Sequence, residues 1–252
     1  MHKSKSIDEL NQHKSAAIET VCSFIDQKIG GDKKSKGKAD KFCYWLEDYI
    51  KFLNYESTFK TKCSDGKLKK YKRGEIVKAH LGFNIGSEEG GLHYCVIVEK
   101  NNAIKNPVVT VVPLTSLKPT VDINNLKRGS IFLGNELFTA TSAKLSGQVK
   151  EMNKIVSDLK ERLKSYPPNE QISTETENEL RSALTASDCL YRTKKEFDRM
   201  KYGSIALVNQ ITTISKIRIY DPKTSSDPLA GIKLSNEKLD IIDNEIIRLY
   251  TK

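Results

Sequence analysis

The chain has 252 residues, 38% apolar and 29% charged, with a formal net charge of +10. That is enough chain for one domain with additions, while no apolar run reaches the roughly 18 residues of a membrane span and MHKSKSIDEL lacks a signal peptide's apolar core. The five cysteines (Cys22, Cys43, Cys63, Cys95, Cys189) form no CxxC pair, which argues against a zinc site or a disulfide framework and for a reducing cytoplasm.

Ser6-Ile7-Asp8-Glu9 reads as a capping box. The helix it opens carries Leu10, Ala17, Val21, Phe24 (or Ile25) and Ile29 as its stripe and ends at Gly30-Gly31. GDKKSKGK, residues 31–38, reads as a flexible basic connector. Phe42, Trp45, Leu46, Tyr49, Ile50 and Leu53 recur at helical spacing, either as a binding face or as the face that docks this helix. KTKCSDGKLKKYKR, residues 60–73, concentrates a charge of +6, which suits a polyanion such as nucleic acid, or equally a solvated linker.

From Arg73 the pattern changes. GEIVKAHL, HYCVIVE, VVTVVPL and GSIFLG are short β-branched runs split by Gly, Asn and Pro, and they predict strands. From about residue 141 the period turns helical, through Leu145, Val149, Met152, Ile155 (or Val156), Leu159 and Leu163. Pro167-Pro168-Asn169 breaks that helix, and Thr174 with Glu177 caps a second one carrying Leu180, Leu184, Tyr191 and Phe197. Strands return at GSIALVNQ (203–210) and KIRIY (216–220). Ser235 then caps a last helix with Leu239, Ile242, Ile246 and Leu249 on one face. Strands on both sides of the helical stretch predict one β-rich unit interrupted by an insertion.

RGEIVKAHLGFNIGSEEGGLHYCVIVE, PVVTVVPLTS and GSIALVNQITTISKIRI resemble, in order, the strands and turns of the MazF/PemK (Kid) toxin family. Its pattern is an RGDI-type strand, a GSEQGG-type loop, an R-P-V-type strand, a P-[IL]-T-S turn and a DQ-[IV]-[RK]-[ST]-I strand. The resemblance covers about 73–118 and 203–250. It implies a small SH3-like β-barrel, so the chain is read as α+β: a barrel domain over 71–252 with a C-terminal helix, interrupted by the helical hairpin that periodicity places at about 138–200, after a helical extension over 1–70. It also implies the toxin of a toxin–antitoxin pair: a cytoplasmic homodimer that cleaves single-stranded RNA without metal or cofactor and is held by a cognate antitoxin.

RNA carries its own nucleophile, the 2′-OH, so cleavage needs a base, an acid for the leaving oxygen and donors for the charged phosphorane. Gly86, Gly90 and Gly91 let the backbone turn sharply and approach a phosphate, and Ser87 can donate to it. Glu88 or Glu89 could read a base edge or orient another side chain, or be solvated loop acids. By the resemblance, His93 stands where the family carries an arginine, and Thr115 stands at its catalytic threonine. An imidazole, unlike a guanidinium, can act as acid or base. Ser116 is the neighbouring donor.

Asn209 and Thr212 replace the family's Asp and Arg/Lys, so positive charge must come from elsewhere; Arg73, Lys216, Arg218 and the lysines of 67–72 are the candidates. The predicted site is therefore catalytic His93 and Thr115, with Ser87, Glu88, Gly90, Gly91, Ser116, Arg73, Lys216 and Arg218 on the RNA. His13 and His80 are read as structural. The missing cations leave a second reading, a non-catalytic RNA- or protein-binding module on the same barrel.

Overall fold

The structure, a computed structural model, describes residues 5–62, 68–164 and 173–251. Residues 63–67 of the basic cluster and the Pro167-Pro168-Asn169 break lie outside the described residues. The chain divides into two units, Met1–Thr58 and Phe59–Lys252.

The first unit is built from α1 (Ile7–Ile29) and all but about the last turn of α2 (Lys33–Lys62). The capping box forms as the sequence predicts: Glu9 N–H donates to Ser6 Oγ at 3.2 Å, and Ser6 N–H donates to Glu9 Oε2 at 2.7 Å. The basic stretch at 33–38 is not a flexible connector but the start of α2. The Asp32 carboxylate accepts the Ser35 N–H at 2.8 Å, and lysine is a good helix former, so a cap and propensity together outweigh Gly37. Phe24 meets Phe42 edge-on at 5.1 Å, and Trp45 lies against Tyr49 and Phe52. No residue of α1 is buried.

The second unit is a seven-stranded antiparallel sheet with helices. Its strands are β1 (Ile76–His80), β2 (Leu92–Ile97), β3 (Val108–Ser116), β4 (Ser130–Gly134), β5 (Ser204–Leu207), β6 (Thr212–Ser215) and β7 (Ile219–Asp221). The order is β4-β5-β3-β2-β1-β7. The long β3 pairs with β2 along one edge and divides its other edge between β6 (at 108–111) and β5 (at 114–116). Among the described residues the end strands β4 and β7 do not pair with each other, so the sheet stays open where the sequence reading expects a closed barrel.

Both faces of the sheet are covered, which explains the unbroken apolar run VVTVVPL. Val112 and Leu114 join Ile76, Val96 and Leu133 in one core; Val109 and Val111 join Val77, Cys95 and Ile97 in the other. The final helix, α5 (Asn236–Tyr250), adds Leu239 and Ile242 to the first core and is capped by Ser235, as predicted.

Two strands differ from their predicted bounds. GSIALVNQ is β5 followed by a 3-10 turn at Val208–Gln210. KIRIY opens with a 3-10 turn at Lys216–Arg218, set by the Ser215 hydroxyl that accepts the Ile217 N–H, before β7.

The insertion is a helical hairpin, α3 (Glu136–Lys164) and α4 (Thr174–Phe197). Its second cap is Ser173 rather than Thr174: Thr176 N–H donates to Ser173 Oγ at 3.2 Å. The C-terminal end of α4 is fixed to the sheet by Glu196, a buried carboxylate. It takes the Lys78 ammonium at 2.6 Å and the Tyr94 hydroxyl at 2.5 Å. Asp221, paired with Lys78 in the sheet, sits beside them, and burial raises its pKa to about 6. Among the described residues no helix is long and apolar enough to cross a membrane.

Candidate active site at one end of the sheet

β1 ends, β2 begins, β3 ends and β5 begins at the same edge of the second unit. The connection between β1 and β2 is the glycine-rich loop 81–91. Gly91 N–H donates to the Gly82 carbonyl at 2.6 Å and pinches the loop at its base. A Cβ on Gly90 would come within 2.8 Å of that carbonyl, so only glycine fits there. Gly91 needs it for another reason, its φ of +83°. The Asn84 amide donates to the Glu89 carbonyl at 2.6 Å. Gln210, from the turn after β5, straddles the loop: its Oε1 accepts the Glu89 N–H at 3.3 Å and its Nε2 donates to the Ser87 carbonyl at 3.4 Å. Ser87 and Glu88 remain exposed at the tip.

His93 follows the loop. It pairs with Ala79 on β1, and Thr115 pairs with Ile205 on β5. Between them, Tyr94 lies opposite Leu114, and one further step of that antiparallel register sets His93 opposite Thr115. Residues directly opposite each other project from the same face of a sheet, so imidazole and hydroxyl stand side by side. The ring is reachable, with 23% of its side chain exposed. Its Nδ1 faces the Leu114 carbonyl at 3.3 Å and its Nε2 faces Glu89 Oε2 at 3.3 Å. Both partners are acceptors, and only an imidazolium can donate to both.

Thr115 and Ser116 open onto a cleft of about 510 Å³, lined also by Glu89, Ile205 and the exposed Lys118 and Lys127 of the loop between β3 and β4. The structure thus brings together His93, Thr115, Ser116 and the glycine loop. It does not bring all the predicted cations. Arg73 donates to the Val98 carbonyl and to Asp243, at the opposite end of β2 from His93, about 16 Å along the strand. Lys216 is buried, with its ammonium on the Ala103 carbonyl at 2.9 Å beside the start of β3, and burial lowers its pKa. Both are fixed in the scaffold. Arg218 does lie at the loop end, its Nε donating to the His80 carbonyl at 2.8 Å below Gly82.

Sequence reasoning passed over Lys118, Lys127 and the Gln210 clamp. Lys118 is two residues beyond the PLTS turn, which is a signal of proximity; Lys127 offered none. Thr212 is exposed on β6 opposite Val111. Asn209 packs against Gly129, where a Cβ would come within 2.6 Å of its own. His80 accepts the Gly82 N–H at 3.1 Å, in keeping with a structural role.

Residues 72–187 match the model of a family described as PemK-like, MazF-like toxin of type II toxin–antitoxin system. The match takes in β1 to β4 and part of the inserted hairpin, and ends before β5. No curated protein matches the chain. Over residues 72–187, somewhat under half of its length, this chain is similar to the MazF/PemK-like toxins of type II toxin–antitoxin systems.

Proposed function

We propose that the protein is the toxin of a toxin–antitoxin pair and acts as a metal-independent endoribonuclease on single-stranded RNA. The observation that carries this reading is the row Ala79–His93–Thr115–Ile205 across the sheet end, which aligns an imidazole with a hydroxyl at the mouth of a lysine-lined cleft. A scissile phosphate seated there would take hydrogen bonds from Thr115 and Ser116 and charge from Lys118 and Lys127. The 2′-oxygen attacks phosphorus as its proton passes to the Glu89 carboxylate. The bond from phosphorus to the 5′-oxygen breaks, and His93 Nε2 gives its proton to that oxygen. The products are a 2′,3′-cyclic phosphate and a free 5′-hydroxyl. As in the family, the toxin acts in the cytoplasm as a homodimer, and the antitoxin covers the cleft.

The test is purified protein on single-stranded RNA, with and without chelator. Cutting is expected to survive chelation and to fall about 10²- to 10⁴-fold in His93→Ala. Undiminished cutting by His93→Ala would overturn the assignment. Thr212, exposed where the family carries a cation, favours a second reading, a binding module that holds RNA or protein without cleaving it. Salt-sensitive RNA binding with no cut products would support that one.

A further inference from the structure

The inserted hairpin returns to the sheet beside the candidate site. Arg199 and Lys201, just past the end of α4, line a small cavity together with Thr115 and Ser116. Tyr94 and Leu114 line it too, and they belong to the sheet face opposite the His93 row. Thr115 and Ser116 are therefore a rim, with the lysine cleft on one side and the end of the insertion on the other. Arg199 also lines a second, larger hollow of about 300 Å³ along α4, with Tyr191, Lys194 and Lys195. One guanidinium joins the two.

The charges there are only partly cancelled, although Asp198 lines the larger hollow too. Glu196 is buried and already answered by Lys78, with Arg199 3.7 Å from its outer oxygen. Asp198 holds Lys194 at 2.8 Å. Lys195 and Lys201 are exposed and have no ion-pair partner among the described residues. Tyr191 is 62% exposed on the same turns, and Tyr202, 69% exposed, lies on the Phe138 ring at 4.3 Å. Spaced cations with open aromatic rings are what a single strand needs, phosphates on the one and bases stacked on the other. An acidic peptide would use the cations and leave the rings idle.

We propose that the end of α4 forms a second single-stranded RNA subsite, in which Lys195, Arg199 and Lys201 carry the strand over the Thr115–Ser116 rim and Tyr191 stacks a base. It rests on the RNA reading of the cleft and extends it onto the insertion.

The experiment measures fluorescence anisotropy with 2′-O-methyl RNA, which lacks the nucleophile and is not cut, in lengths of about four and about twelve nucleotides. Lys195→Ala/Lys201→Ala is expected to weaken the longer oligomer about tenfold at low salt. The same variant should reduce the slope of log affinity against log salt by about 1.4, two phosphate contacts' worth, and leave the shorter oligomer unchanged. Unchanged binding of both lengths, while Thr115→Ala and Lys118→Ala weaken both, would overturn the subsite and leave the cleft reading standing. No binding of either length by the wild type would overturn both. Polyglutamate held by the wild type and lost by the double variant, with RNA indifferent, would reassign the surface to an acidic peptide and overturn the proposal.

Discussion

His93 lies between two acceptors, the Leu114 carbonyl and Glu89, and this arrangement separates two roles that an arginine in its place would merge. A guanidinium supplies charge but cannot give up its proton in a protein. His93→Arg is therefore expected to keep RNA binding within a few-fold of wild type while cutting remains as low as in His93→Ala. Cutting restored by arginine would show that charge alone was needed. His93 and Thr115 were legible because the GSEEGG and PLTS segments frame them; the distant partners were not, since no local pattern announces that Gln210 reaches Ser87 or that Arg73 turns to Asp243. Asp221 offers a pH test. Its folded pKa of about 6 exceeds the ordinary 3.8, chiefly through burial, so its charge costs stability at neutral pH, and the cost fades as pH falls through 6 towards 3.8. Asp221→Asn keeps an acceptor for the Leu229 N–H and should stabilise the protein by about 1–2 kcal/mol at pH 7, discounted for partial exposure. Urea melts at pH 7 and pH 4 should show that gain shrinking; an equal gain at both would place its origin elsewhere.

Among the elements, α4 is tied to the sheet through Glu196. Glu196→Ala leaves the Lys78 ammonium, 15% exposed, and the Tyr94 hydroxyl without their acceptor, at a cost of about 2–4 kcal/mol. A thermal melt checks this, and Lys78→Met/Glu196→Leu should recover most of the loss; a double variant no better than the single one would refute the ion-pair account. Helix periodicity located this hairpin, because its apolar seam repeats every three or four residues. What periodicity could not show was the carboxylate at its end, since Glu196 reads in the sequence as one more solvent-facing acid of KKEFDR. The lysines of 33–38 misled in the opposite direction: their composition suggested a loop, and the Asp32 cap made them a helix.

For the whole molecule, the short β-branched runs located six of the seven strands but not the polar β6, and their β-branched density was explained once both faces proved buried. The open ends of the sheet were not legible, because pairing between distant strands leaves no mark in either one. β3 gains both partners on its second edge from chain that follows the insertion. Ending the protein at Met200 would remove β5, β6, β7 and α5, stripping that edge and a wall of each core. Such a chain is expected to show no cooperative melt by circular dichroism; a sharp transition would mean that the first four strands hold on their own.

The Gln210 amide that grips Ser87 and Glu89 lies more than a hundred residues downstream of the loop it steadies. During synthesis, His93 and Thr115 leave the ribosome long before that grip, and the Ile205 that pairs with Thr115, exist. Under the proposed ribonuclease reading, a half-made copy still tethered to its own messenger lacks the finished site, which leaves an interval in which an antitoxin could reach the growing polypeptide before it cuts.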